Sequence, residues 1–88
     1  MVATDGRATV VVEVKAGRRP PGGWAPGRRP GDRFRPQAAR RRARAARRLA
    51  GPRAARVDLV EVTVEPAGVR LRREVVIELP ATAARRAP

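Results

Sequence analysis

"PQAARRRARAARRLAGP", residues 36–52, runs directly into "RAARVDLVEV", residues 53–62, and this succession decides the fold. Proline suits the first turn of a helix, alanine and arginine favour its interior, and Gly51 with Pro52 behind it makes a stop. Ala39, Ala43, Ala46 and Ala50 recur at i, i+4, i+7 and i+11. Together with Leu49 they predict a narrow face of small residues that can lie close on a sheet. Arg40, Arg41, Arg44, Arg47 and Arg48 cover much of the rest.

Strand patterns flank this helix on both sides. Upstream, residues 2–15, "VATDGRATVVVEVK", predict a hairpin of Val2 to Thr4 and Ala8 to Lys15 that turns at Asp5-Gly6. Downstream, Arg56 to Glu65 and Val69 to Leu79 read as two strands joined by a turn that contains Pro66 and Gly68. In the first of these, Val60, Val62 and Val64 share a face with Asp58, which puts a carboxylate near the packed side. In the second, Val69, Leu71, Val75, Ile77 and Leu79 share a face interrupted by Arg73. A strand, a helix and a returning strand define an α/β unit with the helix laid on the sheet. The expected fold class is α/β: a small sheet made of a β-hairpin, a helix and two further strands, in one domain over residues 1–80.

Residues 17–36, "GRRPPGGWAPGRRPGDRFRP", break that pattern. Proline removes backbone donors and glycine raises the entropic cost of order, so the expectation is a long, disordered, basic loop. GRRP occurs at Gly17 to Pro20 and again at Gly27 to Pro30, with Trp24 and Phe34 close by. Arginines beside stacking aromatics suit single-stranded nucleic acid; a solvated low-complexity linker is the alternative. Residues 81–88 read as a disordered tail.

Composition sets the outer limits. The chain has 88 residues and no cysteine, so the core is thin and unstapled, and further stability has to come from a partner, a ligand or an additional segment. It carries 21 Lys and Arg against 8 Asp and Glu, a net charge of +13, and such a balance points to phosphate-rich partners. A GC-rich genome produces the same bias without a dedicated partner. No apolar run approaches the roughly 20 residues of a membrane span, and no signal-peptide pattern is present. The expected location is cytoplasmic.

Elimination narrows the chemistry. His, Cys, Ser, Tyr and Asn do not occur in the sequence, which removes serine and cysteine nucleophiles, histidine bases and zinc sites. Carboxylates, arginines, one lysine and a hard metal ion remain. That lysine, Lys15, lies two residues beyond Glu13, and in a strand residues two apart share a face at a spacing of roughly 7 Å. An ammonium is a compact donor whose pKa falls on burial, whereas guanidinium stays charged and planar. Phosphodiester hydrolysis assisted by a metal needs carboxylates for the ion and a cation near the attacking water. Glu-x-Lys is also common on solvated strand faces.

The segments Val2 to Gly6, Val10 to Lys15, Pro36 to Leu49 and Arg56 to Val62 together resemble the YraN-type proteins, a family of the PD-(D/E)XK nuclease superfamily with a restriction endonuclease-like fold. The resemblance covers about residues 2 to 65, and its specific part is E-V-K. It implies that Glu13 and the Val14 carbonyl ligate Mg²⁺, that Lys15 positions or polarises the hydrolytic water, and that the partner is nucleic acid, DNA ahead of RNA. The arginines assigned to phosphate contact are Arg18, Arg19, Arg40, Arg41, Arg44, Arg47 and Arg48. Members of the family usually carry an N-terminal helix and a "GEIDLVA"-like strand whose acids complete the metal site. Neither pattern is seen ahead of Val2, so a truncated core is expected, either a fragment from a misplaced start codon or an inactive relative.

Two further readings compete with the nuclease. One is a non-catalytic arginine-rich module that holds DNA or RNA. The other is a homo-oligomeric subunit that pairs through an exposed strand edge.

Overall fold

The structure, a computed structural model, describes residues 1–82. Val2–Asp5 forms β1 and Ala8–Arg18 forms β2; Pro36–Ala50 forms α1; Ala55–Glu65 forms β3 and Gly68–Leu79 forms β4. The four strands make one mixed sheet in the order β1-β2-β3-β4. β1 and β2 are antiparallel, β2 and β3 parallel, β3 and β4 antiparallel. The parallel pair requires a crossover, and the segment carrying α1 supplies it. The fold is thus a small α/β sheet with one helix laid on it, as the strand and helix patterns indicate. Of the tail, residues 83–88 lie outside the described part of the chain.

Local chemistry explains the boundaries. Asp5 pairs with Ala8, so the turn residues are Gly6 and Arg7, and Gly6 adopts φ 59°, a left-handed value that glycine takes without strain. Pro36 occupies the first turn of α1, while Gly51, at φ 60°, ends the helix by donating its N–H to the Arg47 carbonyl at 3.0 Å. Ala39, Ala43, Ala46 and Ala50 are all buried. Ala46 and Ala50 pack with Val11 and Ala55 as a small core that Leu79 flanks.

Leu49 does not join this stripe; it is 55% exposed. At 100° per residue it sits about 90° around the helix from the axis of the four alanines.

Two assignments of strand faces also change. Ala55 lies in the core with Val11, and Val57, Leu59, Glu61 and Thr63, which alternate with it along β3, are buried on the same side. The face carrying Asp58, Val60, Val62 and Val64 is therefore turned away from α1. In β4, Ile77 pairs with Val57 but Val75 pairs with Asp58, a register shift that leaves Val76 as the extra residue. A bulge of one residue inverts the alternation beyond it. Ile77 and Leu79 accordingly point to the helix side, while Val69, Leu71, Arg73 and Val75 point to the other.

Part of the segment expected to lack regular structure is regular. β2 continues through Gly17 and Arg18, and Pro30–Arg33 forms a 3-10 turn with Pro30 buried.

Candidate functional site

β2 displays Val11, Glu13, Lys15 and Gly17 on the helix side of the sheet. Glu13 Oε1 lies 3.1 Å from Lys15 Nζ, and Glu13 Oε2 lies 3.3 Å from Nε of Arg42 on α1. The strand acid is thus bracketed by one cation from its own strand and one from the helix. Its side chain is 17% exposed and that of Lys15 29%, so the pair occupies the margin between sheet and helix. Burial pushes the Glu13 carboxyl up, but hydrogen bonds and charge from Lys15 and Arg42 outweigh it and hold the group below its ordinary value. Arg42 is a site residue that sequence reasoning did not single out. Helical phase was the available signal, since Arg42 falls on the flank of the alanine stripe, about 70° from its axis.

The Val14 carbonyl is placed by the backbone alternation of β2. Thr9 donates its N–H to the carbonyl of Ala54, just ahead of β3, and Arg19 donates to Val64 in β3, whereas Val12 exchanges hydrogen bonds with Met1. Backbone groups of the even-numbered residues therefore face the β1 side. The Val14 carbonyl thus lies on the β1 edge of β2, three residues beyond Val11, the partner of Val2. One carboxylate and one carbonyl oxygen are suitable donors for a hard cation, and Mg²⁺ commonly takes one or two carboxylates with waters and substrate phosphates. Among the described residues no cluster of three or more acidic side chains is placed to hold a metal ion.

The remaining acids have other tasks. Glu61, paired in register with Lys15, is 1% exposed. Its Oε1 accepts from Arg29 at 2.7 and 3.2 Å, and its Oε2 accepts the Gly31 N–H at 2.9 Å. Arg72 approaches at 3.8 Å. Burial raises the Glu61 carboxyl, yet the Arg29 and Gly31 hydrogen bonds and the Arg29 and Arg72 charges outweigh that and leave it lowered. Arg33 also donates to the Ala16 carbonyl, so the basic segment is moored to β2 and β3 at several points. On the far face, Asp58 is covered by Arg56 at 2.9 Å and Arg73 at 3.6 Å, and Arg56 also reaches Asp5 at 2.7 Å. These partners raise the Arg56 guanidinium above its ordinary value, the Asp58 and Asp5 hydrogen bonds exceeding the opposing effect of burial.

The arginines assigned from sequence divide into two groups. Arg40, Arg41, Arg44 and Arg48 are exposed, and no ion pair among the described residues engages them. Arg18 is exposed at the end of β2. Arg47 is instead committed to structure, donating to the carbonyls of Gly51 at 2.9 Å, Arg53 at 2.8 Å and Pro80 at 2.8 Å. Arg19 lies 3.6 Å from Glu65. No helix among the described residues is long and apolar enough to cross a membrane.

Comparison with protein-family models, with curated proteins and with solved structures gave no match.

Proposed function

We propose that this chain binds nucleic acid through the outer face of α1, on a nuclease-like scaffold of the YraN type whose Glu13 and Lys15 form part of a hydrolytic centre. The observation that carries the reading is the charge of α1. The helix has six arginines and no acidic residue, and four of those arginines pair with no carboxylate among the described residues. Like charges at i and i+4, as in Arg40 and Arg44 or Arg44 and Arg48, repel one another and destabilise a helix by a few tenths of a kcal/mol each. A phosphate backbone laid along that face converts the repulsion into attraction.

At the strand edge, Glu13 and the Val14 carbonyl would hold Mg²⁺, which when bound supplies charge neutralisation at the phosphate and acidifies a water. Arg42 must give up Glu13 Oε2 for this to happen. Lys15 then retains an ammonium donor beside the acid, placed to orient the water. A second reading, a non-catalytic nucleic-acid-binding module, is favoured by the same contact, because both Glu13 oxygens already have cationic partners.

Two measurements separate these readings. Binding of a labelled DNA duplex, followed by anisotropy across a salt series, should weaken steeply, and replacing Arg40, Arg41, Arg44 and Arg48 together by Gln should reduce the slope of log K against log salt by about 3 to 4. An unchanged slope sinks the helix as the binding face. Cleavage in Mg²⁺ or Mn²⁺ that disappears in Lys15→Ala supports the hydrolytic centre; binding without cleavage, indifferent to Glu13→Ala and Lys15→Ala, supports the module.

A further inference from the structure

Trp24 rests on the end of β2. Its indole Cη2 comes within 3.2 Å of the position a Cβ on Gly17 would occupy, and Pro30 Cγ comes within 3.1 Å of the same point. Glycine at 17 is what lets the ring and the buried proline approach the strand backbone together. The indole is only partly buried, so it keeps an accessible surface. Beside it opens a cleft of about 360 Å³ whose lining includes Gly17, Trp24, Arg28, Pro30, Arg33 and Arg35. Asp32 also lies on the lining, but its Oδ2 accepts the Arg29 N–H at 2.9 Å, and the arginines set the sign of the charge. The floor is fixed from below, since Arg29 and Gly31 bind Glu61 and Arg33 binds the Ala16 carbonyl.

We infer that this cleft is a stacking site for one unpaired nucleotide of a single strand. The base lies on Trp24, and Arg28 and Arg35 take the adjoining phosphates. Every base presents a π-face to such a platform, so the site tolerates any sequence. A base inside an intact duplex is already stacked on its neighbours and does not enter. The inference deepens the proposed function and rests on it: α1 supplies general phosphate affinity, and the cleft adds a preference for single strands.

The chain contains one tryptophan, so its fluorescence reports on this cleft alone. Unlabelled and dye-labelled oligothymidylate, a duplex of equal phosphate number and inorganic polyphosphate are titrated into the whole chain, with tryptophan emission and dye anisotropy read in parallel. The expected result is quenching by oligothymidylate that the duplex and polyphosphate do not reproduce. Trp24→Ala should weaken oligothymidylate binding about 10-fold or more while leaving duplex binding within about twofold. The Arg28→Gln, Arg35→Gln double variant alters exposed side chains only and should weaken oligothymidylate binding in the same selective way, which guards against a folding defect in Trp24→Ala. Anisotropy showing binding while emission is unchanged, or equal quenching by polyphosphate, overturns the stacking site and leaves the helix reading intact. Absence of binding to every nucleic acid removes the proposed function and this inference together.

Discussion

Glu13 on β2 and Arg42 on α1 face each other across the seam between sheet and helix, 3.3 Å apart, with Lys15 on the other side of the carboxylate at 3.1 Å. Arg42 therefore competes directly with any cation for Glu13. Replacing Arg42 by Ala should tighten Mn²⁺ binding, read by water-proton relaxation, and Glu13→Gln should abolish the gain. Because Arg42 is half-exposed, the stability cost of the single change should stay within about 1 kcal/mol. If Arg42→Ala leaves Mn²⁺ affinity unaltered, Glu13 is a partner of cationic side chains and not a metal ligand.

The Glu61 clamp predicts an acid-sensitive segment. Its carboxyl is lowered in the folded chain, so its contribution is fully present above the ordinary glutamate value of 4.5 and is lost as pH falls through the folded value. Trypsin works near neutral pH, so the acid series is followed by the NMR shift of the Gly31 amide. That resonance should move in acid together with the Glu61 titration, at a midpoint below 4.5. A midpoint at or above the ordinary value contradicts the clamp.

Gly31 tests the same contact sterically. A Cβ there would meet Glu61 Oε2 at 2.7 Å and Leu59 Cδ2 at 3.0 Å, and both neighbours are buried. Gly31→Ala should cost about 1–3 kcal/mol and expose the 3-10 turn to trypsin at neutral pH, whereas Gly27→Ala, with φ 73° and no atom within 4 Å, introduces backbone strain without crowding and should leave the Glu61 contact in place.

Arg47 and Arg48 are adjacent and chemically identical, yet the fold uses them differently. Arg47→Ala removes donors from three carbonyls around the C-terminal end of α1. Loss of about 1–2 kcal/mol should lower Tm by roughly 5–15 °C. Arg48→Ala should leave Tm nearly unchanged and weaken nucleic-acid binding. Thermal melts of the two variants distinguish the roles, and equal melting points would contradict the cap.

Helix and strand positions were legible because their periodicities are strong: alanines on one stripe of α1, and valines along β2 and β3. The faces were harder. Both sides of β3 carry apolar residues, so alternation alone did not tell whether Asp58 or Glu61 lay under the helix. In β4, Val75, Val76 and Ile77 are all apolar, and a bulge at any of them leaves the pattern equally plausible. Glu61 escaped notice because its partner Arg29 is 32 residues away, beyond the reach of local spacing. The Glu13 and Lys15 pair was visible because strand geometry alone brings its members together. Arg42 enters from another element and depends on where the helix docks.

The hairpin of β3 and β4 reaches well beyond the helix that anchors its base. Ile77 and Leu79 lie on the covered side there, while Val69 and Leu71, toward the tip, remain 65% and 66% exposed. Opening should begin at the Pro66 turn and travel inward like a zip, giving a gradient of amide exchange along β4 among residues hydrogen-bonded to β3, fast at Arg70 and slow at Leu79. The ribbon thus has a rigid root and a labile end, and its outer strand is secured only as far as the alanine helix can reach.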